Sequence, residues 1–285
     1  MVLSCKLTLL HSQCIWNYIV FGFQSGRPLK MVEADCITYG KQMDEFKREA
    51  THELTIMFWE AIQNLMGRRE NSDTLLGETF ESRYATKRGN QDPTIRAIFY
   101  SLHSYLYFVF GEYEKGAKLA IESGDSYAKV APGHVWIMGE TFARGMSLYA
   151  MARVSKKRIY RKQARKVHKT IKGWLKQGNP NVNHYVLLLN AESAALNGKL
   201  EAADGFYHAA IVSSSRIGLT HESALAYERY GDFLLVERNE KEDAKRKMVE
   251  ALRRYGDWGA LKKVDMLNEK YHDLWEKPDE IRLFA

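Results

Sequence analysis

Cysteine is nearly absent: Cys5, Cys14 and Cys36 all lie in the first 36 of 285 residues. An odd number without a repeated spacing supplies neither a disulfide framework nor a zinc pattern. The three read as small apolar side chains in a reducing compartment. Proline is almost as scarce, with Pro28, Pro93, Pro132, Pro180 and Pro278 and none from 181 to 277. Long proline-free stretches rich in Ala, Leu, Glu, Lys and Tyr suit helices. The 20 glycines and 5 prolines are too few for collagen-like or low-complexity chains. Long apolar runs are missing too. The longest, Cys14 to Phe23, is interrupted by Asn17, and about 20 residues are needed to span a bilayer. Met1 to Leu10 carries one Lys and breaks at His11-Ser12-Gln13, short of the apolar segment and cleavage site of a signal peptide. The expectation is a soluble, cytoplasmic protein.

Chemistry-bearing motifs are also lacking. No G-x-x-x-x-G-K-[ST] loop occurs, no G-x-G-x-x-G follows a strand, and no G-x-S-x-G elbow is present. His52-Glu53 and His221-Glu222 lack the second His of a zinc helix. His103 sits in an apolar-aromatic run, where a hydrogen-bonded core histidine is the ordinary outcome. Ser213-Ser214-Ser215 falls inside a predicted helix. Carboxylates such as Glu240, Glu242 and Asp243 cluster at a helix start, where the macrodipole accounts for them. The expectation is therefore no enzyme, no metal and no cofactor.

Strand signals are absent as well: no Asn-Gly or Asp-Gly turn separates alternating runs. What recurs is a helix, a break carrying Gly, Pro or Asn, and another helix. Leu3 to Phe23 is apolar-periodic, Pro28 opens a second helix to about 46, and a third stops at Gly67. Residues 68–92 read as a polar loop with at most one short helix. Asp92-Pro93 is a strong helix start. Helices are predicted at about 93–110, 113–131, 134–153, 155–177, 181–197, 200–217, 220–237, 240–255 and 260–275. Gly111, Pro132-Gly133, Gly178-Asn179-Pro180, Gly198, Gly218, Asn239 and Gly256 fall in the breaks.

An internal repeat orders these helices. Ala164, Ala203 and Ala244 recur at intervals near 40, and Gly116 stands earlier on a comparable helix. Tyr207 and Ala210 follow Ala203; Met248 and Ala251 follow Ala244. Small, then large, then small is the tetratricopeptide logic: small residues let paired helices approach and the large one fills the groove. Gly198 makes the turn in the clearest unit, 191–211. The reading is an all-α protein, an α-solenoid of stacked antiparallel hairpins with a period near 40. Residues 1–92 form N-terminal hairpins, and 93–285 form the repeats that continue them.

Charge is concentrated rather than spread. The chain has 42 basic and 35 acidic residues, and the segment 154–176 alone carries ten bases and no acid. Without it, 32 bases face 35 acids. Arg158, Lys162, Arg165, Lys169, Lys172 and Lys176 are spaced four and three apart, one stripe on a helix. Tyr160, Ala164, Val167, Ile171 and Trp174 draw an apolar stripe about half a turn away. The basic stripe is either a solvated face or a docking surface for an acidic partner. No aromatic residue interleaves it, so base stacking, and with it nucleic acid, is disfavoured. Tyr100, Tyr105, Tyr107, Phe108, Phe110 and Tyr113 form a dense aromatic patch, read as core packing or, in part, as a partner groove.

Several stretches resemble a known arrangement. They are Gly26-Arg27-Pro28-Leu29, Phe110-Gly111-Glu112-Tyr113-Glu114-Lys115-Gly116-Ala117, the segment 191–211 and the segment 222–228. Most specific is 251–264, with Tyr255, Trp258-Gly259-Ala260 and Lys263-Val264 in order, then Leu267 and Tyr271. The chain resembles the tetratricopeptide-like helical region of very large multidomain signalling ATPases, in which protein-kinase-like and AAA-type modules precede the repeats and sensor, histidine-kinase or cyclase modules often follow. None of those catalytic modules is present, so the resemblance carries over no catalytic or nucleotide-binding residue. It implies a piece of a signalling protein or a stand-alone scaffold, with Gly256-Asp257 expected to loosen the last long helix. The functional expectation is a protein–protein interaction module whose partner is a protein or peptide, such as kinase or ATPase modules of a signalling protein. The alternative is a binder of anionic surfaces or nucleic acid through 154–176.

Overall fold

The computed structural model describes residues 2–47, 49–68 and 92–275, with side chains from Gln13 onward. The loop expected at 68–92 lies outside the described residues apart from its two ends. Every regular element among the described residues is helical. They are α1 (Val2–Gln24), α2 (Leu29–Glu45), α3 (Glu49–Leu65), α4 (Pro93–Val109), α5 (Tyr113–Ser123), α6 (Ser126–Val130), α7 (Trp136–Ser155) and α8 (Arg158–Lys176). A 3₁₀ turn (Pro180–Val182) leads into α9 (Asn183–Leu196), α10 (Leu200–Arg216), α11 (Thr220–Val236), α12 (Lys241–Trp258), α13 (Leu261–Lys270) and α14 (His272–Trp275). None is long and apolar enough to cross a membrane.

Local chemistry sets the boundaries. Asp92 caps α4 by accepting from the backbone N–H of Thr94 at 2.8 Å, with Pro93 in the first turn. Three expected helices differ in the structure. The helix predicted over 113–131 breaks at Gly124 (φ +55), a backbone state that suits glycine, leaving α5 and the short α6. The helix predicted to end at 255 runs through Gly256 to Trp258. Gly256 keeps ordinary helical backbone there, and the buried Trp258 anchors the final turn. Gly259 (φ +95) then ends it, with Ala260 N–H reaching back to Tyr255 O at 2.9 Å. The helix predicted over 260–275 divides at Tyr271 into α13 and α14.

Helices next to each other in sequence pack together, most extensively α11 with α12, α9 with α10 and α7 with α8, and also α2 with α3 and α4 with α5. Between these pairs, α7 rests on α4 and α9, and α10 on α11. The leading helices α7, α9 and α11 are enclosed on nearly every side; on α11, all six positions from His221 to Ala226 are buried. The following helices bury one stripe each, for example Ala203, Tyr207, Ala210 and Ser214 on α10. The N-terminal helices share this core. Phe23 of α1 meets rings from five helices, Phe58, Tyr105, Trp136, His221 and Trp258, at centroid distances of 5.2–6.2 Å. At the far end α13 packs on α3, and Lys262 Nζ donates to Asn64 Oδ1 at 2.9 Å.

The enclosed helices bury charge in pairs. Glu192 accepts from Arg229 Nε, from Arg153 and from the Tyr207 hydroxyl, each at 2.9 Å. Lys263 Nζ donates to Glu228 at 2.8 Å and to Val109 O at 2.5 Å. Such pairs cost desolvation, and a helix shifted by one turn would leave each charge uncompensated. They act as register marks between helices.

A candidate anion-binding cleft beside α8

α8 is the most polarised of the described helices. Tyr160, Ala164, His168 and Ile171 are buried against α7 and its neighbours. Arg158, Lys162, Arg165, Lys169, Lys172 and Lys176 are all exposed. None of these six pairs with a carboxylate among the described residues. Some exposed bases on other helices find acids within their own helix, as Lys118 does with Glu114 and Arg253 with Glu250.

Three stripe residues, Arg165, Lys169 and Lys172, form one wall of a cleft of about 680 Å³ between α8 and the α9–α10 hairpin. Lys199, at the start of α10, faces them across it, and Phe206 lines the same side half-buried. Asn190, Ser193 and Asn197 of the α9 region supply neutral polar groups. The Tyr149 hydroxyl lies 2.9 Å from His168 Nδ1. His168 Nε2 is buried without a well-formed hydrogen bond, Asn190 being its polar neighbour. No carboxylate lines the cleft.

The electrostatics follow from this one-sided supply of charge. Burial, reinforced by Lys176, pushes the Lys172 ammonium below its usual range. Burial and then Lys172 lower His168 to about 4, so the imidazole is neutral at physiological pH. Burial raises Tyr149, keeping its hydroxyl protonated. The floor is thus neutral and polar beneath a cationic rim. Chemically, this arrangement offers charge-assisted donors to an anion.

A second cleft of about 600 Å³ flanks the start of α8, with Lys156, Lys157, Arg158 and Arg161. Its bases are partly engaged: Arg153 is held by Glu192 at 2.9 Å and Glu237 at 3.6 Å, and Arg161 donates to Leu196 O at 3.3 Å.

The residues singled out for repeat packing lie elsewhere. Ala164, Ala203, Tyr207, Ala210, Ala244 and Ala251 have no measurable exposure, and Tyr255 and Trp258 are buried. A Cβ on Gly116 would meet Ser147 Oγ at 2.7 Å. Gly198 (φ +71) turns the chain between α9 and α10. His103 is buried and bonded to Phe99 O at 3.0 Å, as a core histidine. Of the aromatic patch, Tyr105, Phe108 and Phe110 are buried, and Tyr107 and Tyr113 are partly so.

Two cleft residues escape a reading of sequence alone. His168 stands four after Ala164, where Tyr207 and Met248 stand after Ala203 and Ala244. A polar residue at a groove-filling position is the signal that marks it. Phe206 comes from another helix, so the pattern of the stripe gives no hint of it. No family model, curated protein or solved structure matches this chain.

Proposed function

We propose that this chain is a non-enzymatic interaction module of the tetratricopeptide type, an α-solenoid of stacked hairpins with a period near 40, that serves signal transduction by docking an acidic segment of a protein partner along α8. The observation that carries the reading is the set of six exposed bases on one helix face without a carboxylate partner among the described residues. A face that only needed solubility would mix signs, since like charges three and four apart repel.

Packing within the chain supports α8 as the docking face. The faces of α4, α7 and α11 that converge on Phe23 meet Phe23, which also packs against Trp258. The buried Glu192 is engaged by Arg229 and Arg153, and the buried Glu228 by Lys263 and the Tyr255 hydroxyl, which suits an architectural role. The proposed relation to signalling ATPases rests on the motifs at 110–117, 191–211 and 251–264.

The test is capture of an acidic peptide by the purified chain and by its Lys162/Arg165/Lys169/Lys172→Gln variant. Docking predicts unchanged circular dichroism and weaker binding, mostly through a slower on-rate at low salt. Equal binding by both proteins would remove α8 from the function. A steep salt slope with nucleic acid, outcompeting the peptide, would favour the alternative of an anionic-surface binder.

A further inference from the structure

We propose that the cleft between α8 and the α9–α10 hairpin is a phosphate-binding site that makes docking depend on phosphorylation of a serine or threonine in the acidic partner segment. This rests on the docking reading above and adds to it the chemical group that is recognised.

Charge count is the first argument. Arg165, Lys169, Lys172 and Lys199 face one cleft from two walls, with no acid among its lining residues. A single carboxylate would leave most of that charge unanswered. A phosphate monoester carries nearly two negative charges at neutral pH and three acceptor oxygens, and it takes charge-assisted hydrogen bonds from several bases at once.

The second argument concerns the floor. Asn190 and Ser193 are half-buried, and both have side chains that donate to phosphate oxygens. Beneath them lies the buried pair of Tyr149 and His168 at 2.9 Å. His168 is 6% exposed, and its Nε2 is left without a well-formed bond in a region rich in positive charge. Tyr149 and His168 back the site with neutral polar groups, with Asn190 beside His168.

The third argument selects a peptide over other phosphates. The basic stripe continues past the cleft in both directions, to Arg158 and Lys162 on one side and to Lys176 on the other. At 1.5 Å per residue this run is about 27 Å long, roughly the length of eight extended residues. A small phosphate would fill the cleft and leave the flanking bases idle. A nucleic acid would reach every base, but Phe206 is the one half-buried ring lining the cleft, too few for successive bases to stack on. An acidic peptide with a central phosphate matches both the local and the extended charge, and Phe206 offers a wall for an apolar side chain.

The test uses the full chain and fluorescence anisotropy with a labelled acidic nonapeptide bearing a central phosphoserine. The same peptide with Ser, inorganic phosphate and an oligouridylate serve as comparisons. The phosphopeptide is expected to bind at least about tenfold tighter than the Ser form, as two or more charge-assisted bonds imply, and millimolar inorganic phosphate should erase the difference. Lys172→Gln and Lys199→Gln, both at exposed positions, should cut the preference to less than about threefold, weakening the phosphopeptide more than the Ser form. Lys166→Gln, on α8 outside the cleft, should leave the preference intact. Equal binding of the two peptides, still sensitive to Lys162→Gln, would overturn the phosphate site while docking stands. Failure of both peptides to bind would overturn both. Tighter binding of oligouridylate than of the phosphopeptide would also overturn the proposal.

Discussion

Replacing Lys263 with Met should destabilise the protein far more than the same change at its neighbour Lys262. Lys263 is 3% exposed, and its ammonium joins three helices, donating from α13 to Glu228 of α11 at 2.8 Å and to the Val109 carbonyl of α4 at 2.5 Å. Met keeps most of the stem volume and removes the donors. Glu228, 2% exposed, is then left with the Tyr255 hydroxyl at 2.8 Å as its donor. Val109 O, among the last carbonyls of its helix and without an intrahelical partner, is left bare. Breaking one side of a buried ion pair costs about 3–5 kcal/mol, and an unsatisfied carbonyl about 1–3 kcal/mol. Relaxation of the short α13 recovers some of this, so a loss of about 3–4 kcal/mol is expected. Lys262 is half-buried, with one neutral bond to Asn64, and its Met variant should lose less than about 1 kcal/mol. Removing both charges with Lys263→Met and Glu228→Gln should be milder than the single Lys263 change, since no lone charge stays buried. Urea unfolding followed by circular dichroism measures all three. Equal midpoints for the Lys263 and Lys262 variants would refute the reasoning.

Further outcomes follow from packing and titration. Ala203→Leu should cost about 1–3 kcal/mol by forcing α10 from its neighbours, whereas Lys199→Ala at the exposed turn should leave the melting temperature nearly unchanged. Gly116→Ala should destabilise, because its Cβ meets Ser147 Oγ at 2.7 Å, while Gly205→Ala, with nothing within 4 Å, should stabilise by up to about 1 kcal/mol. Acid should weaken the fold between about pH 6.5 and 4. Burial lowers His184 to about 4, so its contribution is present above 6.5 and is lost as the unfolded chain takes up the proton first. His103 and His168 act in the same direction. Glu140, raised by burial to about 7, acts in the opposite one, contributing most below its unfolded value near 4.5. His184 Nδ1 and Nε2 both lack hydrogen bonds, so His184→Phe should flatten the measured slope of stability against pH.

Helix class and most helix ends were legible in the sequence because caps and breakers act locally. Asp92-Pro93 starts α4, and Gly198 and Gly218 separate helices at the expected places. The misplaced ends have tertiary causes. Gly256 reads as a breaker, yet the helix continues through it because Trp258 must reach Phe23 and His221 in the core. That requirement comes from a residue more than 200 positions away. The basic stripe was legible in full, since six charges on one helix report a face without reference to anything else. The cleft was not. It needs Lys199 and Phe206 of α10 opposite Arg165, Lys169 and Lys172 of α8, a juxtaposition that no periodicity encodes. The burial of ion pairs such as Glu228–Lys263 was hidden for the same reason: each partner looks like an ordinary surface charge in its own helix.

The stripe itself sets the last test, because its stability and its use should pull in opposite directions. Along α8 the six bases make five successive pairs three or four residues apart. Each such pair repels by about 0.2–0.5 kcal/mol, so the helix carries a burden of about 1–2.5 kcal/mol that no described carboxylate relieves. The Lys172 ammonium is pushed down by burial first and by Lys176 second. Converting Lys162, Arg165, Lys169 and Lys172 to Gln removes all five pairs while keeping the apolar stripe and helix propensity, so the variant should gain about 1 kcal/mol at low salt. In about 1 M salt, where screening acts over roughly 3 Å, that gain should shrink toward zero. Binding of an acidic partner should fall in the same variant. A protein that becomes more stable as it loses its ligand would be holding repulsive charge for recognition. If the variant is instead destabilised at low salt, these bases have partners that support the fold, and the face is structural rather than a docking surface.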